Sequence, residues 1–182
     1  MRKIAVLALA CALATLAAAP GSPQARFDFG AMVPRATDLD FGNEVSRNVE
    51  GFLMEWPIVP LPEVDFHYQW SLGPFRLGLG ARAFSILVEN IAWPDACAEL
   101  ALGRIAIEAH AGAGAFAMFG IRNQFAFGDV AIPDLSVWLK LGKRDVFRLG
   151  GGVLGLCVPP AFGDAMFMLV YLGGKASIVA GL

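Results

Sequence analysis

Two histidines are the side chains of this 182-residue chain best suited to acid–base chemistry. His67 and His110 are its only histidines, and imidazole is the side chain that by default exchanges a proton near neutral pH. His110 follows Glu108 by two residues, which places both on one face of a β-strand. A histidine beside a carboxylate is the arrangement of a general base, which many hydrolases use to activate a serine.

No motif supplies that serine. Ser71, Ser85 and Ser136 are the candidate nucleophiles, but the chain contains no Gly-x-Ser-x-Gly sequence, the turn that exposes the nucleophile in one large class of hydrolases. Both histidines also fall within predicted strands rather than loops. We therefore predict no catalytic residue and no enzyme activity, and interpret the histidines as hydrogen-bonded interior residues.

Metal and cofactor chemistry is not indicated by residue spacing either. Cys11, Cys97 and Cys157 form no Cys-x-x-Cys pair and have no histidine at a metal-binding spacing. The acids around Asp38 and Asp40 do not follow the pattern of a calcium loop. The sequence predicts no metal and no cofactor.

The histidines lie in segments where apolar and polar residues alternate. In residues 63–72 one parity is apolar and the other carries the polar side chains, His67 among them. A period of two is typical of a half-buried β-strand, and Gly73-Pro74 ends this one as a turn. Leu-Gly pairs recur at Leu72, Leu102, Leu141 and Leu172, which predicts a chain of repeated hairpins.

The alternation predicts eight strands, with long connections at 35–61, 88–94 and 119–132. The predicted strands are 26–34, 63–72, 75–87, 95–102, 104–118, 133–141, 146–157 and 166–182. Leu172-Gly173-Gly174 would divide the last segment and give nine strands, but the alternation continues through it. Single-chain bacterial barrels have even strand numbers, which favours eight.

The composition places these strands in a membrane. The chain is 57% hydrophobic and 16% charged, with a mean hydropathy of +0.59, whereas soluble domains carry about 25% charged residues. Apart from residues 4–19, no apolar run approaches the roughly 20 residues that a membrane-spanning helix needs. A transmembrane β-barrel reconciles the two observations, because its apolar residues occupy alternate positions.

Residues 1–21 are predicted to be a signal peptide. Arg2 and Lys3 precede the apolar run, and small residues follow it. An anchoring helix and a lipidated Cys11 are the alternatives. Residues 22–182 would then form the barrel, and the net charge of −2 does not favour nucleic acid as a partner.

The polar parity of the strands carries balanced charge. Five acids and five bases fall on it, namely Asp28, Asp65, Glu99, Glu108, Asp134, Arg76, Arg82, Lys140, Arg148 and Lys175. An eight-stranded barrel has an interior that side chains fill, and charges buried there must be paired. We predict a plugged, salt-bridged lumen in which Arg82, Glu99, Glu108 and His110 form one cross-strand network.

With its signal peptide, alternating strands, tight turns at one end and longer loops at the other, the chain resembles the small bacterial outer-membrane β-barrel proteins of the OmpA/OmpX-like class. The resemblance implies an antiparallel up-and-down barrel in the outer membrane, monomeric, with lipid around it and an extracellular ligand at the loops. The class includes structural barrels, adhesins and a few lipid-modifying enzymes. We expect a non-enzymatic barrel; a small-solute channel and a lipid-modifying enzyme using His110 are the alternatives.

Overall fold

The structure is a computed structural model that describes residues 23–40, 60–86, 89–120, 123–142, 145–157 and 166–181. The predicted signal peptide, with Cys11, lies outside these residues. Within them, no helix has the length and hydropathy needed to cross a membrane.

Eight antiparallel strands close into one barrel, in which each strand pairs with the next along the chain and the last pairs with the first. The strands are β1 (Gln24–Asp40), β2 (Leu61–Leu72), β3 (Phe75–Ile86), β4 (Glu89–Leu102), β5 (Ile105–Gly120), β6 (Gln124–Leu141), β7 (Phe147–Cys157) and β8 (Met166–Gly181). Because closure leaves no unpaired sheet edge, every strand has two hydrogen-bonded neighbours. The predicted up-and-down, eight-stranded barrel is confirmed.

Three short connections define one end of the barrel, which we call the turn end. They contain Gly73, Gly103 and Gly142, with φ of 65°, 61° and 80°, values that glycine adopts without the steric cost of a Cβ. Three of the four Leu-Gly pairs therefore turn the chain, as predicted. The fourth does not, because Gly173 stays within β8 opposite Met32 of β1, and this excludes the nine-stranded alternative.

The opposite end, which we call the loop end, holds the connections over 41–60, 87–88, 121–123 and 158–165. Two of the predicted loops are wrong there. Residues 89–94 belong to β4 and residues 124–132 belong to β6, so the strands continue where loops were expected. The strand β1 likewise continues to Asp40.

Prolines account for two of these differences. The predicted strands begin at residue 95, directly after Pro94, and at Pro133, yet both prolines lie inside strands with exposed side chains. At Pro94 the ladder between β4 and β5 shifts register between Ala92 and Asp95. A residue without a backbone N–H is tolerated at such a bulge, so proline here does not end the strand.

The exterior of the barrel is apolar. Large outward-facing side chains remain widely exposed, among them Phe147 at 62%, Leu135 at 58% and Leu149 at 55%. Contiguous exposed apolar surface of this extent is not found on soluble monomers, and it matches the lipid-facing band of a transmembrane barrel.

Aromatic side chains mark the ends of this band, with one exception. Tyr68, Phe75 and Phe147 are exposed near the turn end, and Phe119 is exposed near the loop end, which is the arrangement of interfacial aromatic girdles. Trp93, also toward the loop end, points inward instead and is 2% exposed.

Candidate functional site

The interior of the barrel concentrates the charged side chains of the strands. Seven buried carboxylates point inward, and they belong to Asp28, Glu63, Asp65, Asp95, Glu99, Glu108 and Asp134. Five buried bases accompany them, together with the partly exposed Arg76; the five are Arg26, Arg82, Lys140, Arg148 and Lys175. Because β-strand side chains alternate, one parity of each strand supplies this set while the other supplies the exterior.

Glu99 and Glu108 form the centre of the first cluster. They lie directly opposite each other on β4 and β5, a placement that is unfavourable for like charges. Arg26 bridges them, with Nη1 2.6 Å from Glu99 Oε2 and Nη2 2.8 Å from Glu108 Oε1. Arg148 Nη1 bridges the same two carboxylates at 2.9 and 2.5 Å, so both charges are compensated twice.

Lys175 connects this cluster to β1 and to an indole ring. Its Nζ lies 2.5 Å from Glu108 Oε2 and 3.1 Å from Asp28 Oδ2. It also sits 4.6 Å from the centroid of the Trp138 ring, within the range of a cation–π contact. The Trp138 indole N–H donates to Ser136 Oγ at 2.8 Å, which satisfies the ring's one polar atom.

Arg82 forms a second cluster with three other carboxylates. Its guanidinium lies 2.5 Å from Asp134, 3.0 Å from Glu63 and 3.1 Å from Asp65; the first two are hydrogen bonds, and the third is an ion pair outside hydrogen-bonding geometry. The Tyr171 hydroxyl donates to Asp134 at 3.0 Å. One base therefore serves three acids here, whereas bases outnumber acids around Glu99 and Glu108.

The two histidines form a third cluster around one carboxylate oxygen. His67 Nε2 lies 2.9 Å and His110 Nδ1 lies 2.7 Å from Asp95 Oδ2. The other ring nitrogen of His110 faces Cys97 Sγ at 3.8 Å and Glu108 Oε2 at 3.6 Å. Both imidazoles are almost fully buried and hydrogen-bonded.

The predicted network is thus brought together in part. Glu99, Glu108 and His110 adjoin one another, but among the described side chains no ion pair joins Arg82 to any of the three. Arg82 is opposite Trp93 in the β3–β4 register, whereas the partner of Glu99 on β3 is Arg76. The assignment of Arg82 to this network is corrected accordingly.

Sequence reasoning missed three interior charges. Arg26, Glu63 and Asp95 are buried in the lumen, and each stands two residues from an inward polar residue that the alternation had identified. Extending the same parity by one step at the start of β1, β2 and β4 would have found all of them. Arg26 is the most consequential, because it is the bridge between Glu99 and Glu108.

The loop end of the lumen is apolar. Fully buried inward-facing side chains close it, namely Met32, Leu61, Trp93, Ile132, Leu154 and Leu169. Gly112 makes room for the indole of Trp93, since a Cβ there would overlap the ring. This layer was not predicted, because apolar residues occupy both parities of the strands at this end.

A small cavity of about 10 Å³ lies beside the charged clusters, toward the turn end. It borders the histidine cluster and the Glu99 cluster and is lined by Arg26, His67, Gln69, Arg76, Gly78, Cys97 and Glu99. A site needs roughly 10–15 Å³ to hold one water molecule. The interior at this point therefore accommodates about one water.

No hydrogen bond in the described part of the chain joins either histidine to a serine. Ser136 accepts from Trp138, and Ser71 is exposed at the turn end. Among the described residues, the acid–base groups of the lumen thus have no serine hydroxyl hydrogen-bonded to them; the thiol beside His110 belongs to Cys97.

The chain was compared with family models, curated proteins and solved structures, and only solved structures align with it. No protein-family model matches the chain. No curated protein matches it. Among solved structures, Neisserial surface protein A aligns with a TM-score of 0.49 and 7% identity over 86% of this chain and 99% of that one. The N-terminal β-barrel domain of Pseudomonas aeruginosa OprF aligns at 0.49 and 11%, over 87% of this chain and 100% of that one. Ail of Yersinia pestis aligns at 0.45 and 8%, over 87% and 100%.

The class follows from the chain's own geometry. A closed antiparallel barrel of eight strands, apolar outside and charged inside, is a small transmembrane β-barrel of the bacterial outer-membrane type. This is the class that the sequence predicted.

Proposed function

We propose that the chain is a non-enzymatic, monomeric outer-membrane barrel that serves as a closed scaffold and presents its loop end at the cell surface to an extracellular ligand. Residues 1–21 are its cleaved signal peptide. The observation that carries the proposal is the filled interior, in which ion pairs extend from the turn end to the middle of the lumen and an apolar layer closes the loop end.

The interior supports closure rather than passage. A solute would have to displace either Arg26 and Arg148 from their carboxylates or the apolar layer around Trp93 and Leu154. Removing one partner of a buried ion pair costs about 3–5 kcal/mol. A passive pore does not supply that energy to each passing solute.

Strand length supports presentation at the surface. A transmembrane β-strand needs about 9–11 residues, whereas β1, β5, β6 and β8 have 17, 16, 18 and 16. The turn end is closed by short turns, so the surplus length extends the barrel at the loop end. That extension forms a surface on the far side of the membrane from the turns.

The orientation can be tested with epitope tags in intact bacteria. A tag inserted after Gly51 is expected to bind antibody on unbroken cells, and a tag inserted after Gly142, in a tight turn, is expected to bind only after lysis. The converse pattern would reject surface presentation of the loop end. Sequencing of the mature N-terminus should begin at Ser22, and heat-dependent migration in detergent gels should accompany correct folding in both tagged proteins.

A further inference from the structure

The histidine cluster has the donor set of a metal site. We propose that His67, Asp95 and His110 bind one divalent transition metal ion of the zinc class in the barrel lumen. The three residues come from β2, β4 and β5, and their donor atoms, His67 Nε2, His110 Nδ1 and an Asp95 oxygen, all lie within 4.8 Å of one another. Two imidazoles and one carboxylate are ligands that suit Zn²⁺, Cu²⁺ and Ni²⁺ rather than Ca²⁺ or Mg²⁺.

The spacing of the donors fits a tetrahedral ion after a small adjustment. Zinc binds histidine nitrogen and carboxylate oxygen at about 2.0–2.2 Å, so neighbouring ligand atoms stand about 3.3 Å apart. The two nitrogens stand 2.9 and 2.7 Å from Asp95 Oδ2. Side-chain movements of about half an ångström therefore replace two hydrogen bonds with three metal bonds.

Asp95 carries a second, independent sign of a missing partner. Asp95 is only 4% exposed, and its buried Oδ1 has no hydrogen-bond partner among the described atoms. An orphaned buried carboxylate oxygen is costly, and coordination to a metal ion would satisfy it. Each of the other six inward carboxylates has an arginine or lysine within 4 Å; in the described residues Asp95 has only the two histidines.

The surroundings of the cluster supply the remaining requirements of a site. His110 Nε2, on the far side of the ring from the proposed ion, faces Glu108 Oε2 at 3.6 Å, and a carboxylate behind a ligating histidine fixes the ring and raises its basicity. The small cavity lined by His67 and Cys97 has room for about one water beside the cluster. It also borders Arg76, whose side chain is 32% exposed, and so lies next to the turn end.

The charge balance of the lumen also supports a bound cation at Asp95. Seven inward carboxylates face six arginine and lysine side chains, counting Arg76. With neutral histidines the described lumen has a deficit of one positive charge, located at Asp95. Buried charge without compensation is strongly unfavourable, and a cation bound at this carboxylate would compensate it.

The test uses the mature barrel refolded in detergent, loaded with Zn²⁺ and passed through a desalting column. We expect about one zinc per barrel by elemental analysis, and a higher unfolding midpoint in the presence of Zn²⁺, because an ion that binds only the folded state stabilises it. His67→Gln, His110→Gln and Asp95→Asn should each lower the Zn²⁺ affinity at least about tenfold. Ser177→Ala, a buried inward site on β8 away from the donors, is the control and should retain the metal. Zinc retained equally by the His67→Gln/His110→Gln double variant would overturn the proposal.

A measurement on the unmodified barrel covers the case in which the variants fail to fold. The chain has two histidines, so two imidazole signals are expected in a proton–carbon NMR spectrum. Both should shift on addition of one equivalent of Zn²⁺. If neither moves at saturating Zn²⁺, the cluster holds a proton rather than a metal, and the proposal is wrong.

Discussion

Arg82 is the residue that compensates the charge of the second cluster of lumen carboxylates. Its guanidinium is 3% exposed and is the one arginine or lysine, among the described side chains, within 4 Å of Glu63, Asp65 or Asp134. Arginine stays charged and can contact several carboxylates through its planar fork. Its removal leaves three buried carboxylates without a compensating base.

We expect Arg82→Ala to lower the stability of the folded barrel by about 3–5 kcal/mol, the usual cost of breaking a buried ion pair from one side. The measurement is the urea midpoint of the refolded protein in detergent. Ala83→Val, on the neighbouring outward-facing position, is the matched control and should leave the midpoint almost unchanged. A neutral Arg82→Ala with a severe Ala83→Val would mean that the assignment of inside and outside is reversed.

Residue parity was predictable, but partners across the lumen were not. Alternation placed Arg82, Glu99, Glu108 and His110 inside, and all four are inside. The position of each side chain along the barrel axis depends on the strand register. Because the strands are tilted, this register shifts from one strand to the next around the barrel. Because residues 88–94 were predicted to form a loop, the residue pairing between β3 and β4 could not be deduced from the sequence. In the observed hairpin Glu99 lies opposite Arg76 rather than near Arg82.

At the scale of the elements, glycine at the turns sets where each hairpin reverses. Gly103 has φ of 61°, a left-handed conformation that costs most residues about 1–2 kcal/mol. We expect Gly103→Val to destabilise the barrel by roughly that amount or more, since β-branched residues tolerate this region least. Gly103→Asn should cost distinctly less, because asparagine enters this region several-fold more often. Equal unfolding midpoints for the two variants would contradict a strained turn.

Sequence periodicity did not predict where the strands end at the loop end of the barrel. Turns rich in glycine were predicted correctly, since Gly73 and Gly103 have a local conformational requirement that sequence reveals. Strand extensions at the loop end were missed, because residues 89–94 and 124–132 continue a ladder that only pairing with a neighbour stabilises. Proline at 94 and 133 was a misleading signal, because an outward-facing proline at a bulge or a weakly paired position leaves the strand intact.

For the whole molecule, the apolar exterior predicts a depth-dependent response to charge. Leu135 lies mid-strand in β6 and is 58% exposed, and Leu102 closes β4 at the turn end and is 53% exposed. An arginine at the bilayer midplane costs about 2–4 kcal/mol, and one near the interface costs about 0–1 kcal/mol. Leu135→Arg should therefore reduce folding into liposomes far more than Leu102→Arg does. A soluble barrel would tolerate both substitutions equally well, and equal folding yields would argue against a lipid-facing exterior.

The central claim is a membrane barrel whose interior is closed, and its most direct test is ionic conductance across a planar lipid bilayer containing the refolded protein. Insertion is verified beforehand by heat-dependent gel migration of the same preparation. With ion pairs from the turn end to the middle of the lumen and the apolar layer at the loop end, we predict no steady current steps above the bare-bilayer baseline. Reproducible, long-lived openings of the unmodified protein would contradict the account and identify a small-solute channel instead.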